Sequence, residues 1–337
     1  MELDRGCKTS WHFDFEAIID YINEKGVEGV KVVGLQFPEG LKHLFYISKE
    51  IEDLTGARVI VSGKPCYGAC DIDERLRSCV DILFHFGHAE IEKDSVKEDE
   101  IVFVQVRSKI DIKPVVKKAL EMLNGDKIGV VTTVQHVHAI NDVKEVIEGD
   151  GGKEVIIQKG DTRIKYNGQI LGCNFSSARI ECDELLFVGS GNFHPVGASI
   201  ATGKRVVIAD PLMNEVRVAE PEKIIRQRYA IIGKALDSNS FGILIGSKEG
   251  QKRLALAQKL CEKAKRAQKE AYMIMLDEFD PDLLMPFKVD CFVNTACPRI
   301  AIDDIARFKK PMLTPVEFEI AIGERKWEDF LFDEILE

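Results

Sequence analysis

Val30-Lys-Val-Val-Gly-Leu35 is followed at once by Gln36-Phe-Pro-Glu-Gly40 and then by apolar residues at helical spacing over 41–54. The first run reads as a buried strand, the second as a turn and the third as an amphipathic helix. Gly56 is expected to end that helix, and Arg58–Val61 reads as the next strand. Strand, helix and strand in this succession are the building unit of a parallel α/β sheet.

The same pattern occurs three times in the 337 residues, with opening helices predicted to begin near residues 15, 114 and 221. The spacing of about 100 residues is the size of a small domain. The predicted fold class is therefore α/β, with three similar small parallel-sheet domains, an internal triplication, packed around a pseudo-threefold axis. The predicted domain limits are 1–109, 110–213 and 214–337, the last with a C-terminal extension.

Composition narrows the class of protein. With 45% hydrophobic and 30% charged residues the chain is expected to fold as a globular protein. Lys and Arg number 46 against 56 Asp and Glu, a net charge of −10 that disfavours nucleic acid as a partner. No apolar run approaches the ~18 residues of a membrane span, and the acidic opening residues are unlike a secretory signal. We therefore expect a cytoplasmic protein without a membrane partner.

Nine cysteines in a chain expected to be reduced point to metal ligation rather than to disulfides. One cysteine in each unit follows a predicted strand, in a loop that also carries Gly, Pro or Asn: Cys70, Cys173 and Cys297. For Cys173 that strand is predicted at Gln169–Leu171. Because ligands bind beyond the carboxyl ends of parallel strands, the three thiolates are expected to converge. Three thiolates with an open fourth position suit a [4Fe–4S] cluster, and a three-cysteine zinc site is the alternative.

The other cysteines are interpreted differently. Those inside helix or strand patterns are predicted to belong to the core: Cys79, Cys182, Cys261 and Cys291. Cys7 lies in a polar segment and is uninformative. The role of Cys66 stays open, since its spacing to Cys70 places it near the expected site but it has no counterpart in the other units.

Several motifs together carry a family resemblance: Gln36-Phe-Pro-Glu-Gly-Leu41, Tyr67-Gly-Ala-Cys70-Asp71, Gly172-Cys173-Asn174, Phe193-His-Pro195 and Ala296-Cys297-Pro-Arg299. In this combination and order the chain resembles the archaeal diphthamide biosynthesis enzymes, 3-amino-3-carboxypropyl transferases of an atypical radical S-adenosylmethionine family. The resemblance implies a three-domain homodimer whose [4Fe–4S] cluster is held by one cysteine per domain. The Cys-x3-Cys-x2-Cys run of common radical enzymes is absent, because Asp73 stands at its third position.

The resemblance also implies a reaction. The reduced cluster would cleave the bond between the sulfur and the γ-carbon of S-adenosylmethionine, leaving methylthioadenosine. The 3-amino-3-carboxypropyl group would be transferred to a histidine of translation elongation factor 2, and an electron donor would be required.

Loop residues that follow strands are candidates for binding S-adenosylmethionine: Gln36, Pro38, Glu39, Gln135, Gly189, Gly191, His194, Arg299 and Asp303. Gln36 and Gln135 are amides where a core would prefer apolar residues. The glycine-rich turn that begins at Gly189 permits close backbone approach to a ligand. Arg299 is the candidate partner of the methionine carboxylate, because a guanidinium group binds a carboxylate bidentately. Asp303 either pairs with Arg299 or caps a helix.

For other candidates a plainer interpretation stands beside the functional one. Pro38 and Glu39 have the composition of an ordinary helix start. His194 has the alternative of being a satisfied surface or core histidine. His85 and His88 follow a strand and are expected at the edge of the site. No catalytic residue is predicted beyond the cluster and its ligands.

Two other functions remain open at this point. Quinolinate synthase also joins three small α/β units around a three-cysteine [4Fe–4S] cluster, which would make the chain a Lewis-acid dehydratase and condensing enzyme. The other alternative is a non-catalytic partner subunit whose cluster relays electrons or stabilises the fold.

Overall fold

A computed structural model describes residues 11–91, 101–303 and 305–336. Cys7 lies outside these ranges. So do the opening residues, on which the expected absence of a secretory signal depends. Among the helices of the described ranges, none has the length and apolar character needed to cross a membrane.

Strands and helices alternate along most of the chain. The strands are β1 (Trp11–His12), β2 (Val32–Gln36), β3 (Arg58–Val61), β4 (Ile82–Phe86), β5 (Ile101–Val104), β6 (Arg107–Ser108), β7 (Lys127–Thr132), β8 (Glu154–Ile156), β9 (Glu184–Val188), β10 (Val206–Asp210), β11 (Glu215–Val218), β12 (Ser240–Gly246), β13 (Glu270–Leu276), β14 (Cys291–Asn294) and β15 (Met312–Leu313). The α-helices are α1 (Phe15–Gly29), α2 (Ile47–Thr55), α3 (Glu74–Arg77), α4 (Lys113–Ala119), α5 (Ile140–Gly149), α6 (Phe193–Thr202), α7 (Pro221–Ala235), α8 (Leu254–Arg266), α9 (Pro281–Leu284), α10 (Pro298–Ile302) and α11 (Pro315–Ala321).

The larger sheets share one strand order. The first runs β3-β2-β4-β5, the second β8-β7-β9-β10 and the third β13-β12-β14-β15, all with parallel pairing. Each unit therefore places its first strand second in the sheet, between its second and third strands. The second sheet is extended by β11, which runs antiparallel to β10, and β1 pairs with β6 in a small ribbon. The predicted α/β class with several parallel sheets is confirmed.

An aspartate just before the third strand of each unit makes the same contacts. The side chain of Asp81 accepts hydrogen bonds from the backbone N–H groups of residues 31 and 32, at 2.7 and 2.8 Å. Asp183 accepts from residues 126 and 127, and Asp290 from residues 239 and 240. These aspartates satisfy backbone donors at the start of the central strand in all three units.

Apolar side chains cover both faces of the sheets, as parallel sheets require. On β9, Leu186 and Val188 pack in the cluster that contains α4 and α5. Leu185 and Phe187 point the opposite way and pack with Val196 of α6. The sheet is thus buried on both sides, and its loops at the carboxyl ends remain available for a site.

Two predicted elements differ in the structure. The helix predicted over 41–54 starts as a 3-10 helix, Glu39–Tyr46, and becomes regular only in α2. Gln169–Leu171 is not a strand: Gln169 forms one isolated bridge to Thr132, and Leu171 forms another within its own turn. The predicted domain limits stay predictions, but β11 pairs with the second sheet, so a limit after Val218 would keep that sheet whole.

Candidate functional site

The three loop cysteines lie beyond the carboxyl ends of strands in three different sheets. Cys70 and Cys173 lie between the second and third strands of their units, whereas Cys297 follows the third strand and caps α10. The three loops are therefore not equivalent in topology, although each follows a strand of its unit. In the third unit the loop after the second strand contacts the first unit instead of carrying a candidate ligand. Its Asp277 pairs with Lys64 of the first unit at 2.8 Å.

The fold brings these cysteines close enough to interact electrostatically. Burial raises the pKa of Cys173 to about 12, and the charge of Cys70 adds to the rise. Burial also raises the pKa of Cys297, which is further raised by Cys173 and Cys70. Three thiols from three sheets thus share one poorly solvated region, where ionisation requires a compensating cation.

The spacing of the sulfur atoms distinguishes a cluster from a single ion. Within the described ranges, the only three Cys, His, Asp or Glu residues whose ligand atoms all lie within 4.8 Å of one another are Cys66, His85 and His88. At least one of the Sγ–Sγ separations among Cys70, Cys173 and Cys297 therefore exceeds 4.8 Å, whereas the sulfurs around a tetrahedral zinc are about 3.8 Å apart. Three thiols that do not all lie within 4.8 Å of one another fit a multinuclear iron–sulfur cluster better than a single zinc ion.

Arginines provide positive charge around the cysteines. Arg163 lowers the pKa of both Cys70 and Cys173, Arg253 also lowers that of Cys173, and Arg299 lowers that of Cys297, although burial outweighs all of them. Arg163 is itself 2% exposed. A local concentration of arginine in a chain of net charge −10 fits an anionic, thiolate-ligated group. Sequence reasoning found Arg299 but missed the other two.

A segment of the third unit covers the Cys70 loop. A Cβ atom at Gly250 would lie 2.3 Å from Cβ of Cys70, so only glycine allows this backbone approach. Gln251 donates from Nε2 to Sγ of Cys70 at 3.3 Å. Lys248 pairs with Asp71 at 2.6 Å, and both side chains are less than a tenth exposed. These contacts seal the Cys70 loop against the third unit.

Residues 330–336, here named the closing segment, connect the other two cysteine loops. Arg253 donates to the carbonyl oxygens of Thr295 and Ala296, at 2.6 and 2.9 Å, and also forms a bidentate pair with Asp333. The backbone N–H of Ile335 then donates to the carbonyl oxygen of Cys173 at 2.7 Å. The predicted extension therefore docks on the loops that carry Cys173 and Cys297.

Arg299 lies beside the Cys173 loop. Its guanidinium group stacks over the ring of Phe193 at 4.6 Å, and a Cβ at Gly172 would lie 3.0 Å from Cδ of Arg299. Arg299 also pairs with Asp303 at 2.8 Å, one of the two predicted roles of that aspartate. Burial lowers the pKa of His194 to about 4, so this imidazole is neutral at physiological pH, and the nearby Arg299 charge contributes.

The two predicted glutamines make internal contacts. The Gln36 side chain is 1% exposed and donates from Nε2 to the carbonyl oxygen of Asp71 at 2.7 Å. Its Oε1 accepts from the backbone N–H of Asp73 at 3.2 Å and from Nδ1 of His85 at 3.1 Å. Gln36 thus positions the loop next to Cys70. Gln135 donates to the carbonyl oxygen of Gly87 at 3.0 Å and joins the second unit to the first.

The remaining candidates for binding S-adenosylmethionine are two residues at a helix start and two glycines in the turn after β9. Pro38 precedes the 3-10 helix as its N-cap, and the exposed Glu39 pairs with Lys42 at 2.6 Å. This is the plainer interpretation of that turn. Gly191 has φ +87° and nothing within 4 Å of the position of a Cβ, which leaves its backbone accessible, whereas Gly189 is buried.

The cysteines assigned to the core are mostly inside the protein. Cys182 and Cys291 are buried and Cys261 is half-buried. Cys79 is exposed, so its assignment to the core is wrong. It lies after the short helix α3, where the chain turns at the surface toward β4.

Comparison with known proteins identifies one family. The family model described as "Putative diphthamide synthesis protein" matches residues 37–331. A 2-(3-amino-3-carboxypropyl)histidine synthase of Pyrococcus horikoshii is 38% identical over 318 residues, covering 91% of this chain and 90% of the relative. The enzyme of that description from Methanocaldococcus jannaschii is 30% identical over 361 residues, covering 100% and 96%.

The solved structures give the same result. The crystal structure of Dph2 from Pyrococcus horikoshii with a 4Fe-4S cluster superposes with a TM-score of 0.88 at 35% identity. The superposition covers 97% of this chain and 95% of the relative. Sequence and architecture therefore agree over nearly the whole length.

Proposed function

Because this chain belongs to the diphthamide synthesis protein family and is a transferase like its 2-(3-amino-3-carboxypropyl)histidine synthase relatives, we propose that it carries out the first step of diphthamide biosynthesis. The donor would be S-adenosylmethionine, and the acceptor a histidine of translation elongation factor 2. The observation that carries the proposal is the convergence of Cys70, Cys173 and Cys297 in one region with nearby arginines.

We assign the [4Fe–4S] cluster to those three cysteines. When bound, the cluster supplies the electron that cleaves the bond between the sulfur and the γ-carbon of S-adenosylmethionine. The chain supplies the rest: Arg163 and Arg253 offset the charge of the ligating thiolates, and Gln251 hydrogen-bonds Cys70. The crystal structure of the Pyrococcus horikoshii relative with a 4Fe-4S cluster supports this assignment.

Residues near Cys173 and Cys297 are suited to hold the methionine part of the donor. The guanidinium group of Arg299 lies over the ring of Phe193 and has donors beyond the one that pairs with Asp303. The carboxylate of the donor would bind there, next to the neutral His194 and the accessible backbone of Gly191. Gln36 and Gln135 are better suited to position loops than to contact the donor, since their amides have protein partners.

The partners follow from the same proposal. A histidine of a folded protein must reach the site, and the half-buried state of Cys70 and Cys297 supports an approach from their side. An external electron donor would reduce the cluster. The edge strand β13 exposes Tyr272, Met273 and Met275 to about half of their surface, which supports a homodimer through this apolar edge.

We also propose that the three units descend from one ancestral unit and pack around a pseudo-threefold axis. The shared strand order supports this history. So does the aspartate before each third strand, at positions 81, 183 and 290, with its two backbone donors.

The test uses the cluster-loaded protein without oxygen. Dithionite and S-adenosylmethionine are added, and the nucleoside product is identified by chromatography with and without elongation factor 2. Methylthioadenosine formed only under reducing conditions is the expected result. 5′-Deoxyadenosine would indicate ordinary radical chemistry and contradict the proposal. No cleavage by fully loaded protein would favour a dehydratase or a non-catalytic subunit.

A further inference from the structure

Next to the three-cysteine region, and sharing the loop of Cys70, the first unit holds a second group of metal-type ligands. Cys66 lies in the loop after β3, His85 in β4 and His88 just beyond it, and their ligand atoms all lie within 4.8 Å of one another. Cys66 is 2% and His85 0% exposed, while His88 is half-buried. A buried thiol and two imidazoles are the ligands that zinc prefers.

The distances are close to those of a tetrahedral site. Nε2 of His85 lies 2.9 Å from Nδ1 of His88 and 3.9 Å from Sγ of Cys66. Around a zinc ion the corresponding separations are about 3.4 Å between two nitrogens and about 3.6 Å between nitrogen and sulfur. For these two pairs, shifts of about 0.5 and 0.3 Å would give the separations around zinc, and Cys66 and His88 lie within 4.8 Å of each other.

A supporting hydrogen bond fixes the orientation of His85. The amide of Gln36 has only one orientation that suits its contacts, since Nε2 must donate to the carbonyl oxygen of Asp71 and Oε1 accepts the backbone N–H of Asp73. Oε1 therefore accepts the Nδ1–H of His85, which leaves Nε2 of that ring unprotonated and directed at the other two ligands. Metal-bound histidines have this kind of outer partner.

We propose that Cys66, His85 and His88 bind a single divalent transition-metal ion of zinc type, with water in the fourth position, separate from the iron–sulfur cluster. The proposal is independent of the reaction assigned above. Such a site would fasten the loop that carries Cys70 to β4 of its own unit. Because the Cys66 thiol must lose its proton, metal uptake releases one proton to solvent.

The test measures zinc and iron in the same protein. Anaerobically prepared, cluster-loaded protein is incubated with zinc, dialysed against metal-free buffer and analysed by mass spectrometry of the elements. We expect one zinc per chain. Cys66→Ala and His88→Gln should each lower retained zinc at least tenfold and leave iron unchanged. Cys291→Ala, a buried cysteine of the third unit, and His43→Ala, an exposed histidine, are matched controls that should keep both metals.

X-ray absorption at the zinc edge of the unmodified protein does not depend on how the variants fold. One sulfur and two imidazole nitrogens around zinc are expected. An all-sulfur shell, no retained zinc, or undiminished zinc in both variants would overturn the proposal. Loss of iron rather than zinc in Cys66→Ala would also overturn it, since Cys66 would then be a cluster ligand.

Discussion

Gln251 of the third unit donates a hydrogen bond to Sγ of Cys70 in the first unit, at 3.3 Å and 181 residues apart in the chain. Hydrogen bonds to ligating sulfurs stabilise the more negative, reduced state of an iron–sulfur cluster. In Gln251→Leu this bond is lost, and we expect the reduction potential of the cluster to fall by about 40 mV, the one-electron equivalent of a hydrogen bond of about 1 kcal/mol. A potentiometric titration followed by electron paramagnetic resonance measures it. Gln258→Leu, at an exposed position of α8, is the control, and equal potentials would refute the assigned contact.

The ligand assignment predicts which cysteines hold iron. Cys70→Ala, Cys173→Ala and Cys297→Ala should each lose the cluster, because three thiolates are its only protein ligands in the proposal. Cys261→Ala should keep it, since that residue packs against the core of the third unit. Iron per chain and the spectrum of the reduced protein are the measurements. Iron retained in Cys70→Ala but lost in Cys66→Ala would transfer the ligand role to Cys66.

Gly250 should tolerate no side chain. The added methyl of Gly250→Ala meets Cβ and Cα of Cys70, at 2.3 and 2.6 Å, and must displace the covering segment. Such overpacking costs about 1–3 kcal/mol, and iron should be lost faster to a chelator. Gly233→Ala is the matched control, because nothing lies within 4 Å of the new atom in α7. It should stabilise the protein by about 0.5–1 kcal/mol. Equal chelation rates in the two variants would contradict the prediction.

Asp333 should be needed for stability of the closing segment. Burial raises the pKa of Asp333 although Arg253 opposes the rise, so the carboxylate depends on that partner for its charge. In Asp333→Ala the largely buried Arg253 loses its carboxylate partner, and we expect the free energy of unfolding to fall by about 3 kcal/mol. Thermal unfolding should show a lower midpoint, with Asp329→Ala, at an exposed position, unchanged. A midpoint equal to that of the unmodified protein would show that Asp333 is dispensable.

The repeated aspartates predict a pH dependence. Backbone N–H bonds are the first cause that lowers the pKa of Asp81, Asp183 and Asp290. A pKa lowered by folding adds stability above the ordinary value of about 3.9, and the gain is lost as the pH falls through the lower folded value. The triple Asp→Asn variant should therefore melt earlier than the unmodified chain at pH 6, and the difference should shrink as the pH falls below the ordinary carboxyl pKa. Thermal unfolding of the metal-free chain measures this, with the exposed Asp53→Asn as control. A difference independent of pH would contradict the argument.

The architecture was predictable because it depends on local patterns. Apolar runs such as Val32–Gln36 and helices such as α7 were visible from spacing and from flanking Gly and Pro. The positions of the three loop cysteines were also predictable from local patterns, because each cysteine follows an apolar run or lies near one. The aspartates before the third strands carried a signal that reasoning missed, since Asp81, Asp183 and Asp290 each stand directly before an apolar strand.

The charged surroundings of the cysteines were not predictable in this way. Arg163 lies in the same connection as Cys173 and Arg253 comes from the third unit, and the sequence next to either arginine gives no sign that it approaches the cysteines. A buried amide is unusual and favours Gln36 as a ligand contact, but its partners in the structure are two backbone groups and a histidine. Local sequence shows that a polar group is buried, whereas only the packed structure shows which group satisfies it.

The closing segment also sets an order of events during biosynthesis. Chains are made from the amino terminus, and domains fold as they emerge. All three cysteine loops are therefore synthesised before Ile335, whose backbone holds the Cys173 loop. Until that residue appears, the Cys173 and Cys297 loops lack the contact that the closing segment makes between them. Docking of the closing segment is therefore the last event that fixes the Cys173 and Cys297 loops relative to each other.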